Sequence, residues 1–210
     1  MSKKKKNIIL ENIKLISAGG KGVAVGKTEE GKTVLVSGAV PGDIVNARVK
    51  KAKSNYYEAE AIEILEMSPY RVEPKCAHFG VCGGCKWQNL SYEKQLDFKH
   101  DEVANNIRRI GGIEHFESLP ILGSEQEYFY RNKMEFSFSN ARWLSNEEVN
   151  SGEEIVGKNA LGFHIPGMWS KILDLKECFL QEEPSNEIRL AVRDYALENN
   201  LEFYDVRNQE

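Results

Sequence analysis

The residues of this sequence best suited to chemistry are its four cysteines, three of which stand within ten residues, CAHFGVCGGC. The spacing is Cys76-x5-Cys82-x2-Cys85, and Cys178 lies far downstream. Two residues between Cys82 and Cys85 let both sulfurs turn toward one metal centre. Gly83 and Gly84 fill that gap, where positive φ and a close backbone are expected to aim amide N–H groups at sulfur. Three chemistries compete for the site. A disulfide suits an oxidising compartment, which sparse cysteine usage argues against. Structural zinc takes four thiolates, more often as two local pairs than as three plus one. An iron–sulfur cluster accommodates a local trio with a remote fourth sulfur. On spacing alone the cluster and zinc both stay open. His78 lies inside the window and could replace a thiolate, but with Cys178 present it reads as a loop residue. His100, His115 and His164 are scattered singly and form no constellation.

The chain that must position these sulfurs has 210 residues, enough for one large domain or two small ones. Its 41% hydrophobic and 29% charged residues are ordinary for a globular protein. The start, MSKKKKNIILENIKLIS, is interrupted by Glu11, Asn12 and Lys14, so it does not read as a secretory signal. No apolar run approaches the length of a membrane span. The expected location is the cytoplasm, with no membrane and no protein partner implied. The net charge of −4 conceals a segregation: residues 1–57 hold 12 Lys or Arg against 4 Asp or Glu, and the remainder is acidic. A basic N-terminal module of this kind can sit against phosphates. Lys3 to Lys6 also read simply as a solvated tail.

Residues 8–66 alternate short β-rich runs with turn signals such as SAGGKG, TEEGK, SGAVPGD and AKSN. Five strands in about sixty residues predict an OB-like all-β barrel. Its basic stretch and aromatic pair offer Lys50, Lys51 and Lys53 to phosphates and Tyr56 or Tyr57 to bases, one tyrosine facing inward as strand neighbours must. MSPYRVEPKC then leads into the cysteine window. SYEKQLDFKHDEVANNIRRIGG predicts a helix capped by Ser91 and stopped at Gly111–Gly112, its apolar stripe from Tyr92 to Ile110 being core. YFYRNKMEFSFS, ALGFHI and KILDL predict antiparallel strands, with 143–159 a polar mobile loop. PSNEIRLAVRDYALENN predicts a further helix and LEFYDV a last short strand. The expected domains are 1–67, the barrel; 68–90, the cysteine-rich linker; and 91–210, an α+β region with an antiparallel sheet.

The order of these features resembles the RNA (uracil-5-)-methyltransferase family, in its large-subunit ribosomal RNA branch. GKGVAV with SGAVPGDIVNARVKKAKSNYYEAEAIEIL resembles its TRAM domain. CAHFGVCGGCKWQNLSYEKQLDFKHDEV resembles its cluster-binding segment, including Gly–Gly and Gln88. YFYRNKMEFSFS and GFHIPGMWSKILDLKECFLQ resemble the start of its central domain, where a fourth cysteine follows an aspartate. The resemblance implies a [4Fe–4S] cluster on Cys76, Cys82, Cys85 and Cys178, and RNA, most simply 23S ribosomal RNA, as partner. Residue type and placement then offer RNA contacts from Lys50, Lys51 and Lys53 for phosphates and from Tyr56 or Tyr57 and Trp87 for stacking, with Arg131 and Lys133 near the substrate loop; Trp87 could equally shield the cluster.

The family methylates carbon 5 of uracil with S-adenosylmethionine, a nucleophilic cysteine and a general base, all held by a Rossmann-like domain. The present sequence has no fifth cysteine, no D-P-P-R stretch and no glycine-rich turn for that cofactor. The expectation is therefore a piece of a longer S-adenosylmethionine-dependent enzyme, inactive by itself, with no catalytic or cofactor residue of its own. A stand-alone zinc-containing RNA-binding module is the alternative. Enzymes pairing a TRAM domain with radical chemistry fit less well, since they resemble one another in a C-x3-C-x2-C trio and carry the barrel last.

Overall fold

The computed structural model describes residues 8–155 and 157–209. The Lys3–Lys6 tail lies outside the described residues. Chain contacts divide the protein into two compact units, the chain to Pro74 with Trp87–Gly123, and Lys75–Lys86 with Ser124–Glu210.

In the first unit, five strands close into a barrel in the order β1-β2-β3-β5-β4: β1 (Ile9–Gly19), β2 (Val23–Lys27), β3 (Thr33–Ser37), β4 (Ile44–Ala52) and β5 (Tyr56–Glu66). Alternation carries the core, since Ala24, Val34, Val36, Val45 and Ala47 point inward from positions two apart. β1 serves two neighbours, pairing with β2 through its second half and with β4 through its first. It bends between them at register shifts, with Asn12 at φ 54°, which is how a long strand turns a barrel corner. β3 and β5 run parallel, a pairing that adjacent hairpins cannot make, and it closes the barrel.

A buried ion pair fastens the outgoing chain to this barrel. Asp43 is 0% exposed and accepts from the backbone of Val40 and Ser68, each at 2.9 Å. Arg71 adds a bidentate contact, Nε at 2.8 Å and Nη2 at 2.7 Å. Tyr70–Val72 then meets Asn89–Ser91 through an isolated antiparallel bridge and flanking backbone bonds, so the chain departs and returns at one place. The cysteine window is the excursion between those two stretches.

The helix α1 (Tyr92–Arg109) forms where periodicity places it, with Arg108 and Arg109 in its last turn. Two expectations about it fail. Ser91 precedes the helix without a side-chain capping bond. The apolar stripe is only partly covered: Tyr92, Leu96 and Ile107 are half-buried, whereas Val103 is 58% and Ile110 82% exposed. Periodicity specifies which residues share a face, but not whether anything lies over that face.

In the second unit, β6 (Ser137–Ser139), β7 (Ala160–Ile165) and β8 (Met168–Asp174) form an antiparallel sheet in chain order. A core of Ile165, Leu173 and Leu175 gathers Val81, Cys82, Phe136, Trp143 and Phe163 around it. The long strand expected over YFYRNKMEFSFS shrinks to β6, because among the described residues those before Ser137 find no ladder partner; Phe129 and Arg131 donate backbone bonds to Phe179 and Leu180 instead. Apart from Val156, the loop at 143–159 contains a short helix, α2 (Asn146–Asn150), started by a capping box between Ser145 and Glu148. α3 (Ser185–Glu198) matches its prediction. LEFYDV is not a strand; Phe203 instead docks edge-on against Phe138, ring centroids 4.9 Å apart. Among the described residues no helix is long and apolar enough to cross a membrane.

Candidate metal centre

All four cysteines fall in the second unit, although one is separated from the others by most of its sequence. Among the described residues none of the four forms a disulfide, and each is half-buried. Several contacts hold Cys178 to the window. Lys75, one residue before Cys76, places its ammonium over three rings, 4.7 Å from Phe129, 4.7 Å from Phe179 and 5.0 Å from Tyr128. Phe179 directly follows Cys178, so this cage ties the first cysteine's neighbour to the last cysteine's. His78 Nε2 accepts from the Lys176 backbone N–H at 3.1 Å, which joins the same two segments. Asn186, in the first turn of α3, accepts from the Cys178 N–H at 2.9 Å and donates to the Cys178 carbonyl at 3.1 Å.

The electrostatics around sulfur are consistent across the set. Burial pushes the Cys76, Cys82 and Cys178 thiols above their ordinary pKa, and Cys85 adds to the rise in each. Backbone N–H groups oppose it: His78 and Phe79 at Cys76, Gly84 at Cys82, Leu180 at Cys178. The Gly84 N–H lies 3.4 Å from the Cys82 sulfur. The expected amide-to-sulfur contact is therefore present, but not through positive φ. Among the glycines of the window only Gly80 has it, at 88°. Gly83 is required for proximity instead, since a Cβ there would lie 2.7 Å from the His164 carbonyl.

Arg189 was not singled out by sequence reasoning. It is 5% exposed on α3, donates Nη1 to the Leu175 carbonyl and Nη2 to Asn186 Oδ1 at 3.3 Å, and lies over the Phe136 ring. Its Nε is buried without a partner, and among the described residues no carboxylate pairs with it. Burial lowers its pKa, while Cys178, Asp174 and Glu183 oppose that shift. A buried guanidinium of this kind calls for an anion. No signal in the helical pattern distinguishes Arg189 from Arg193 of the same helix, which is half-buried and paired with Asp174.

These features bear on what the thiols could hold. Among the described residues no three His, Cys, Asp or Glu side chains close in on a single ion. A lone zinc needs its four thiolates on a tight tetrahedron about 2.3 Å from the metal. A four-iron cluster presents its irons at the corners of a larger body, so neighbouring thiols need not converge on one point. Four half-buried thiols in one unit, amide donors at three sulfurs and a buried cation without a carboxylate partner fit such an anionic group.

The residues expected to meet RNA are placed separately. Lys50 and Lys51 are exposed on β4 but paired with Glu60 at 2.6 Å and Glu58 at 3.6 Å. Lys53 sits in the β4–β5 turn, its carbonyl accepting from Lys32 Nζ at 2.7 Å. Tyr56 contacts Glu58, whereas Tyr57 packs against the barrel core with Lys32 Nζ 3.9 Å above its ring. Lys32 was overlooked because only the β3–β5 register, which sets Val34 beside Tyr57, brings it there. Trp87 belongs to the first unit and is partly covered, with its indole N–H buried and unpartnered. Lys133 is exposed and paired with Glu135 at 2.8 Å, and Arg131 is exposed with Met134 Sδ at 3.8 Å from its Nη1.

Comparison with known proteins agrees with this architecture. The TRAM domain family matches residues 15–62, which lie within the barrel. An uncharacterized RNA methyltransferase of Bacteroides thetaiotaomicron is 50% identical over 189 residues, 90% of this chain and 41% of the relative. A second, of Chlorobaculum tepidum, is 49% identical over 88% of this chain and 39% of its own length. The fold is similar to that in the crystal structure of Pyrococcus abyssi tRNA (uracil-54, C5)-methyltransferase in complex with S-adenosyl-L-homocysteine, with a TM-score of 0.58 and 22% identity. That match covers 95% of this chain and 39% of the other. The barrel is thus TRAM-like, and the chain, spanning about two fifths of the length of the curated relatives it matches, is similar over that span to RNA methyltransferases.

Proposed function

We propose that this chain is the RNA-recognition and cluster-bearing part of an S-adenosylmethionine-dependent enzyme that methylates carbon 5 of a uridine, in 23S ribosomal RNA. The observation that carries the reading is the gathering of Cys76, Cys82, Cys85 and Cys178 into one unit beside a buried, unpaired Arg189. In it, a [4Fe–4S] cluster on these four thiolates supplies a structural crosslink between the window and the segment before α3. The residues around it do the positioning. Asn186 fixes the Cys178 backbone, the Lys75 cage fixes the entry to Cys76, and Arg189 offsets negative charge. With every cysteine occupied as a ligand, the chain contributes no nucleophile, and the methyl-transfer machinery and its cofactor belong elsewhere in the enzyme.

The TRAM barrel supplies phosphate contacts from Lys53 and Lys32 and a base-stacking surface near Tyr56 and Tyr57, with Lys50 and Lys51 free to leave their exposed, weak ion pairs. Arg131 and Lys133 serve the second unit. The test is binding of the purified chain to single-stranded ribosomal RNA segments, and to transfer RNA, across a salt series. The expected result is a preference for the ribosomal segments and affinity that falls with salt, by a log–log slope of about −0.7 for each phosphate neutralised. A flat salt dependence contradicts the phosphate contacts, and preference for transfer RNA contradicts the ribosomal assignment.

A further inference from the structure

A cavity of about 560 Å³ opens in the second unit, within the size range of small-ligand sites. Its wall is the irregular stretch from Gln126 to Asn132, closed on one side by Glu182. That stretch is held in place, since the Phe129 and Arg131 N–H groups donate to Phe179 and Leu180 at 2.8 Å each. Phe129 takes φ 59°, a conformation bulky residues avoid, and such strain concentrates at ligand sites.

The lining chemistry is that of a nucleotide site. Arg131 projects a guanidinium that, among the described residues, forms no ion pair, even though Glu125 and Glu182 line the same cavity. An uncompensated fork of this kind suits a phosphate oxygen pair. Tyr130 is 54% exposed, leaving its ring available for stacking. The Gln126 and Asn132 amides offer donors and acceptors to a base edge. Carboxylates accept from ribose hydroxyls, as they do where a dinucleotide's 2′-hydroxyl is read.

We propose that this cavity takes one nucleotide of single-stranded RNA, with its phosphate on Arg131, its base against Tyr130 and its 2′-hydroxyl on Glu182. The inference rests on the RNA-binding reading above and adds the place and the means by which ribose is told from deoxyribose.

The probes are uridine 5′-monophosphate, its 2′-deoxy counterpart, and a short uridine-rich RNA with its DNA equivalent. Backbone NMR of the labelled chain should show the monophosphate shifting Tyr130, Arg131 and Asn132. Arg131→Gln should weaken RNA binding roughly tenfold and lower its salt slope by about 0.7. Glu182→Ala, which removes the acceptor altogether, should abolish the preference for RNA over DNA. Both side chains are exposed, so neither change removes a core contact. RNA binding that survives both changes unaltered, or shifts confined to the barrel, overturns the cavity proposal alone. Failure of the unaltered chain to bind any RNA overturns the RNA-binding reading beneath it.

Discussion

Replacing Asp43 by Asn keeps the shape of a fully buried side chain and removes its charge. The structure gives the consequence a size. Asp43 accepts four hydrogen bonds, two from backbone N–H groups of Val40 and Ser68 and two from Arg71, all between 2.7 and 2.9 Å. An amide has one oxygen and one NH2, so at least one of these donors then faces another donor. Arg71, whose side chain is 19% exposed, loses its counter-ion as well. Breaking a buried pair from one side costs about 3–5 kcal/mol, and a stranded buried amide about 1–3 kcal/mol. The expected loss is therefore about 3 kcal/mol or more, read as a lower urea midpoint at unchanged m-value. The pH dependence follows from the same bonds. Burial alone raises the Asp43 pKa, but the Arg71, Val40 and Ser68 donors outweigh it and hold it below the ordinary value. The stabilisation is thus complete above the unfolded pKa of about 4 and is lost as pH falls through the lower folded pKa. Unaltered chain and Asp43→Asn should converge in acid. A loss under about 1 kcal/mol at neutral pH, or a gap that persists in acid, refutes the reasoning.

Two further outcomes are expected. Arg189→Met, which removes the unpaired guanidinium, should cost the cluster-loaded chain about 3–5 kcal/mol while leaving the iron-free chain near its original stability or above it; equal effects in both states, by anaerobic thermal unfolding, contradict the counter-ion role. Gly83→Ala should reduce iron retention, because its Cβ would lie 2.7 Å from a backbone oxygen that cannot move aside alone, whereas Gly80→Ala meets nothing within 4 Å and strains only its own turn at φ 88°. Iron per chain after desalting distinguishes them, and equal retention contradicts the close-approach argument.

The barrel was legible because each of its strands buries alternate residues, and alternation survives in a single sequence. Its closure was not, since the β3–β5 pairing and the bulges of β1 depend on partners distant in the chain. The same limit explains the errors. Residues 130–136 alternate well but lack a ladder partner among the described residues, and the α1 stripe is amphipathic but only partly covered. Among the site residues, the cysteines announce themselves by spacing. Arg189, Asn186 and Lys75 do not, because a buried arginine, a clamping amide and a caged lysine carry no local pattern. Lys32 reaches Tyr57 only through a parallel register that no hairpin rule predicts.

Anaerobic purification followed by iron and acid-labile sulfide analysis tests the central claim most directly. About four irons and four sulfides per chain are expected, lost when Cys178 is replaced by Ser. A colourless protein with one zinc and no sulfide would contradict it, and full iron in Cys178→Ser would remove Cys178 from the ligand set and turn attention to His78.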